Sequence, residues 1–243
     1  MSQASLRIAS YNIRKARGLD QRRDPGRVID AINTLDADVV ALQEADLRLG
    51  RRPSALPRDL LSGHTDFAVA DIAVTGESLG WHGNAVLLRR GLHAAGVTRM
   101  SLPGLEPRGA VHLRIRGAYA IDLVATHLGL RRRDRRKQQA EILKSVPSDG
   151  HLIIAGDFNE WSGDKGLEPF GRAFSLCAPG KSFHARHPFA SLDRFALSEG
   201  TRLEEAGVAD CAKARRASDH LPIWCDVAIA AEQASAPAAT VSQ

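Results

Sequence analysis

The sequence predicts an α/β protein built from two packed sheets flanked by helices. Three observations lead there. Short apolar runs, several of them β-branched, recur along the chain and read as buried strands. Many of these runs crowd the middle of the chain with few helix signals between them, which argues against a plain doubly wound sheet. Two stretches, after Asp24-Pro25 and from Arg131, carry helical character instead.

The elements follow in order. Residues 6–13 alternate and are partly β-branched, so a strand is expected. Asp24-Pro25 offers an N-cap followed by proline at the first helical position, and Val28, Ile29, Ile32 and Leu35 then share one helical face. Residues 38–42 form a short buried strand. Strands are also expected over 67–72, 84–88, 111–115 and 120–126, a helix over 131–146, and strands over 152–155, 193–197 and 223–229.

The chain has 243 residues, of which 44% are hydrophobic, enough for one sizeable core. No Gly/Ser/Pro-rich linker divides it. One domain is therefore expected over residues 1–229, with a disordered, proline-interrupted tail over 230–243. The start Met1-Ser2-Gln3 shows no basic and apolar leader pattern, and no apolar run approaches a membrane span. Cys177, Cys211 and Cys225 are scattered and odd in number, fitting neither a disulfide framework nor a zinc site. A reduced, cytoplasmic setting and a monomer are the expectations. The net charge of +5 favours anionic partners.

Several runs end in a polar residue of catalytic type. Residues 6–10 lead to Asn12, 39–42 to Glu44, 123–125 to Thr126 and His127, and 152–155 to Gly156-Asp157-Phe158-Asn159. One polar residue after a strand is ordinary; four such ends suggest a shared sheet edge, where open α/β sheets handle ligands. An Asp and an Asn two residues apart suit holding water and a divalent ion near a phosphate. Glu44 reads as a ligand for Mg²⁺ or Mn²⁺, hard ions that take one or two carboxylates and keep several waters. Asn12 would orient Glu44 or touch the metal. His127 would donate to a phosphate.

Ser218-Asp219-His220-Leu221-Pro222 is the second strong motif. Its proline restrains Leu221 and helps a turn aim Asp219 and His220 at one site. His220 needs a carboxylate to orient it, and Asp193 is the candidate; the plainer alternative is an ion pair of Asp193 with Arg194 or another surface arginine. Two motifs are set aside. Gly180-Lys181-Ser182 lacks the upstream glycine of a phosphate loop, and His184 and His187 have no third zinc-type ligand nearby. The tract Arg131-Arg132-Arg133-Asp134-Arg135-Arg136-Lys137 opens a helix with a solvated face. With Arg14, Lys15, Arg17, Arg48, Arg51, Arg52, Arg215 and Arg216 it rims the proposed edge with cations.

Taken in order, these pieces resemble the endonuclease/exonuclease/phosphatase superfamily. The matching residues are Ser-Tyr-Asn at 10–12, Leu-Gln-Glu at 42–44, Gly-Asn-Ala-Val-Leu at 83–87, Thr-His-Leu at 126–128, Gly-Asp-Phe-Asn at 156–159, Leu-Asp-Arg at 192–194 and Ser-Asp-His-Leu-Pro at 218–222. The resemblance implies a four-layer α/β/β/α sandwich of two mainly antiparallel or mixed sheets flanked by helices. It implies a Mg²⁺- or Mn²⁺-dependent hydrolase that attacks an anionic phosphoester with in-line water. Glu44 would be the principal metal ligand, with Asn12 and Asp219 beside it. Asp157 would position and deprotonate the water, and Asn159 would contact that water or a phosphoryl oxygen. His220 would contact the phosphate, oriented by Asp193. His127 matches the second histidine of deoxyribonuclease-like, sphingomyelinase-like and inositol-phosphatase-like members, where exonuclease III-type enzymes usually carry tyrosine. Arg14, Asn84 and Arg131 are expected to bind substrate phosphate.

The substrate stays open between nucleic acid and a phospholipid headgroup or small phosphoester. Aromatic residues make up only 5% of the chain, with Trp81, Trp161 and Phe158 near motifs, which supplies a strand-stacking platform poorly. A non-catalytic module of the same fold would show gaps in the motif set, and there are none. A nucleic-acid adaptor built on the Arg131 helix would bind DNA without metal and without cleavage. If the cationic rim steers an anionic substrate, kcat/KM falls as salt rises; a flat salt dependence removes that role.

Overall fold

The computed structural model describes residues 3–47, 50–147 and 150–230. Met1, Ser2, Arg48 and all but the first residue of the expected tail lie outside these. The strands are β1 (Gln3–Asn12), β2 (Val39–Gln43), β3 (Phe67–Val69), β4 (Ala85–Arg89), β5 (His93–Leu102), β6 (Arg108–Arg116), β7 (Ile121–His127), β8 (Leu152–Asp157), β9 (Ser175–Cys177), β10 (Asp193–Leu197), β11 (Arg202–Val208) and β12 (Ile223–Ala230). The helices are α1 (Pro25–Asn33), α2 (Arg58–His64), α3 (Arg132–Ser145), α4 (Glu168–Ala173) and α5 (Ala212–Ala217). Among the described residues no helix is long and apolar enough to cross a membrane.

Two six-stranded mixed sheets pack face to face, in the orders β11-β12-β1-β2-β4-β3 and β5-β6-β7-β8-β10-β9. Each contains one parallel pair, β1 with β2 and β7 with β8. Three apolar cores separate four layers. Leu6, Ile8, Val39, Val111, Leu123, Ile153 and Cys225 fill the space between the sheets. Val28, Ile32, Leu61 and Ala214 seal α1, α2 and α5 onto the first sheet. Ile142, Phe170, Ile154 and Phe158 seal α3 and α4 onto the second. The expected four-layer α/β/β/α sandwich is therefore the fold. Asp24 caps α1 as its position predicts, its side chain accepting from the Arg27 amide at 3.3 Å, with proline in the first turn.

Several elements differ from expectation. The strand expected over 67–72 ends at Val69, though Ala70 and Ile72 still reach the inter-sheet core. Strands β5 and β11 were not anticipated. Each carries a register shift, between Ala94 and Gly96 and between Leu203 and Glu205, and a bulge breaks the alternation that marks a strand. Strand β9 has three residues, and α2, α4 and α5 have six or seven, too few to display a helical period. The basic tract forms α3, but its face is not wholly solvated: Arg135 is buried.

The four polar strand ends do meet at one edge. In the second sheet, His127 and Asp193 are the register partners of Asp157 on either side. In the first, Asn12 pairs with Gln43, placing Glu44 one residue on, and Ile223 of β12 pairs with Ser10, placing His220 just beyond. Gly156 makes this spacing possible. A Cβ there would lie 1.8 Å from the Thr126 carbonyl oxygen of the parallel neighbour, a backbone atom that cannot step aside. Gly156→Ala is expected to lower the urea unfolding free energy by about 2 kcal/mol or more; an unchanged midpoint would show that β7 and β8 do not approach so closely.

Candidate active site

Asp157 is the convergence point. It is 1% exposed at the end of β8. Its Oδ2 accepts from Asn12 Nδ2 at 3.0 Å and faces His127 Nε2 at 3.3 Å and His220 Nε2 at 3.8 Å. Its Oδ1 accepts from the Asn159 backbone N–H at 2.9 Å. One carboxylate thus joins both sheets and the His220 turn. Asn159 takes a left-handed conformation, φ 51°, which asparagine tolerates better than most residues, and its side chain donates to the Leu128 carbonyl at 2.9 Å.

His220 is held from behind. Its Nδ1 lies 2.8 Å from Asp193 Oδ2, and the same oxygen accepts from Ser182 Oγ at 2.5 Å. Backbone bonds from Leu221 to Ser182 and from Ala185 to Asp219 fasten the 182–185 loop onto the turn. Ser218 Oγ donates to the Asn12 carbonyl at 2.7 Å, closing the turn against β1. The Asp193–Arg194 alternative does not occur: Arg194 points to the other face, toward the Glu160 carbonyl and Asp164.

This order of motifs along one folded chain has known relatives. The sequence matches the Endonuclease/Exonuclease/phosphatase family over residues 9–220. The chain belongs to that family. The uncharacterised protein YbhP of Escherichia coli K12 is 30% identical over 250 residues, covering 93% of this chain and 97% of the relative. Among solved structures, a mannosyl-6-phosphatase of Bacteroides thetaiotaomicron VPI-5482 superposes with a TM-score of 0.71 at 17% identity, covering 91% of this chain and 99% of that one. D. rerio TDP2 complexed with single-strand DNA product gives a TM-score of 0.69 at 17% identity, covering 92% and 99%. At those identities the structures share the fold.

The remaining expected residues of this family member are placed as follows. Glu44 sits at φ 54° and its carboxylate pairs with Lys15, while Asp219 pairs with Arg14 at 3.2 Å. Asn12 Oδ1 accepts from the Arg14 backbone N–H at 3.1 Å. Glu44, Asp219 and Asn12 Oδ1 are hard oxygen donors of the type Mg²⁺ takes, so their chemistry suits a divalent ion, while Lys15 and Arg14 occupy the two carboxylates here. Asp157, Asp193 and His220 also bring one potential ligand atom each within 4.8 Å of one another. Asn84 spends its side-chain amide on the Trp81 and Gly109 carbonyls, bracing the loop before β4. Arg131 is exposed at the start of α3. Of the rim cations, Arg51 pairs with Glu77 and Arg215 with Asp210.

A cleft of about 460 Å³ opens beside Glu44 and His127, lined among others by Lys15, Arg52, His82, Arg108 and Leu130. Beneath the loop after Asn159, Arg135 Nη2 donates to buried Glu160 at 2.6 Å, and Arg135 Nη1 to the Gly129 and Leu130 carbonyls. Glu160 was not singled out from sequence, and Ser182 stood there only within the discarded Gly180-Lys181-Ser182 pattern. Trp161, Phe183 and Phe189 form a ring cluster whose centroids lie 5.6–6.0 Å apart, and Phe183 reaches His220 at 5.0 Å. Of the other aromatics near motifs, Phe158 is fully buried and Trp81 donates to the Met100 carbonyl.

Burial pushes the Asp157 carboxyl up to about 6. Burial alone would strip the proton from His220, but the facing charges of Asp193 and Asp157 outweigh it and hold the imidazolium up to about 10. Both groups bind a proton more tightly folded than unfolded. Their stabilising contributions are therefore present at low pH and lost as pH rises, through about 6 for Asp157 and about 10 for His220. Asp193→Asn removes the nearer charge. The His220 ring is expected to titrate at lower pH by NMR in that variant; an unmoved midpoint would mean that Asp193 does not hold the proton.

Proposed function

We propose that this chain is a divalent-metal-dependent phosphoester hydrolase that cleaves a P–O bond by in-line attack of water. The observation that carries it is the convergence of Asn12, His127 and His220 on one buried oxygen of Asp157. A carboxyl raised to about 6 is a stronger base than an ordinary one and is still ionised at neutral pH, which suits taking a proton from water. Asn12 and the Asn159 amide fix its direction. His220, kept charged by Asp193, donates to phosphoryl oxygens, and His127 adds a second donor from the neighbouring strand. Such donors lower the barrier because they strengthen as charge develops on the phosphoryl group. Glu44, Asn12 and Asp219 would hold Mg²⁺ or Mn²⁺, which supplies charge neutralisation on the transferred group when bound.

The cleft supports a compact ester over a long strand. Its volume of about 460 Å³ falls within the range of small-molecule sites, and its cations flank aliphatic walls. The fold itself is neutral on this point, since the neighbours include a mannosyl-6-phosphatase and a TDP2 bound to single-strand DNA. A headgroup or sugar-phosphate ester is the favoured substrate class, with nuclease action the alternative.

Asp157→Ala and His220→Ala are each expected to lower kcat by roughly 10²–10³ or more while circular dichroism stays native. EDTA is expected to stop turnover of bis-p-nitrophenyl phosphate, and Mg²⁺ or Mn²⁺ to restore it. Near-normal turnover in either variant, or in EDTA, would refute the mechanism.

A further inference from the structure

Six large apolar side chains stand exposed among the described residues: Val74 at 66%, Leu105 at 71%, Leu130 at 64%, Trp161 at 56%, Phe189 at 59% and Leu203 at 40%. The strand registers show where they lie. Val74 is in the loop leading to β4, whose start pairs with the end of β2. Leu105 is in the β5–β6 turn, and the start of β6 pairs with the end of β7. Leu130 follows β7 and Trp161 follows β8, while Phe189 precedes β10, whose first residue pairs with Asp157. All five sit on loops at the catalytic edge. Leu203, the least exposed, begins β11 at the opposite end.

The five form a connected rim. The Leu130 amide donates to Glu106 at 3.2 Å, tying its loop to that of Leu105. Arg132 reaches Ser162 at 2.6 Å, linking α3 to the Trp161 loop, and the Trp161 and Phe189 rings lie 6.0 Å apart. Val74 lines a shallow depression with Arg52 and His82, which also border the main cleft. Cations stand between the apolar groups. Among the described residues the exposed Arg131, Arg133 and Arg186 carry no ion pair; of the rim acids, Glu77, Glu106 and Asp164 are each matched with arginine, while Asp71 and Asp134, the latter accepting from the Leu105 amide, have no ion pair.

Exposed apolar side chains gathered on one face mark an interaction surface. Interspersed with unpaired arginines, they match an anionic lipid surface, which takes apolar side chains below its headgroups and attracts cations to them. Val74, Leu105 and Leu130 decide against nucleic acid, because aliphatic groups neither stack on bases nor pair with phosphates. We infer that the catalytic edge docks on anionic bilayers, with these loops seated at the headgroup level and the cleft facing the membrane. Its catalytic purpose rests on the hydrolase reading, but docking is measurable without turnover.

The test uses the whole chain in EDTA with phosphatidylglycerol-rich or pure phosphatidylcholine vesicles. Co-flotation and a blue shift of tryptophan emission are expected with the anionic vesicles alone. Val74→Glu/Leu105→Glu is expected to lose about ten-fold or more of that partitioning. The same variant should keep its unfolding midpoint and its metal-dependent turnover of soluble bis-p-nitrophenyl phosphate. Vesicle binding by a wild-type chain that hydrolyses no ester would support docking and sink the hydrolase reading. Absent vesicle binding, equal binding by the variant, or variant-sensitive binding of single-stranded DNA in place of vesicles would each overturn the inference.

Discussion

A buried carboxylate that must be satisfied from three directions organises this molecule. Asp157 lies where two sheets meet, and an ionised oxygen there is tolerated only while donors surround it. Those donors come from β1, from β7 and from the turn before β12, three elements far apart in sequence. The stacking of the sheets, the parallel β7–β8 pairing and the closure of the 218–222 turn are all needed to bring them within reach. The charge therefore acts as a geometric clamp.

The second ring of residues explains why the first keeps its aim. Asp193 both charges and orients His220, and Ser182 holds the same Asp193 oxygen. Arg135 and Glu160 form a buried pair under the loop carrying Asn159, and losing either partner would leave an ion stranded in the interior. None of these groups faces the cleft lining, yet each limits how far a facing group can drift.

The candidate-site edge was legible because its residues follow apolar runs directly, and strand ends are where a chain leaves the core. Asn12, Glu44, His127 and Asp157 line up in that way in the sequence alone. The choice between Arg194 and His220 as the partner of Asp193 was also open to strand geometry: neighbouring residues of a strand face opposite ways, so Asp193 and Arg194 cannot meet across β10. What stayed hidden depended on contacts distant in sequence. Ser182 sits inside a false phosphate-loop pattern, and only the folded loop carries it to Asp193. Arg135 looks like one more solvated arginine until helix α3 docks. The aromatic cluster was invisible because Phe183 and Phe189 reach Trp161 through a long irregular loop, and β5 and β11 were masked by their bulges.

The pairing of Glu44 with Lys15 and of Asp219 with Arg14 has a consequence for how the protein is assembled and supplied. The two carboxylates are neutralised by the chain itself, so the cleft can fold and persist in a medium poor in divalent ions. On the proposed function, Glu44 and Asp219 would hold a divalent ion only by giving up an internal ammonium and guanidinium that are covalently tethered and therefore present at high effective concentration. Binding would then depend on the free concentration of the ion around the protein, and a freed Lys15 would stand at the wall of the cleft, where an anionic ester would arrive.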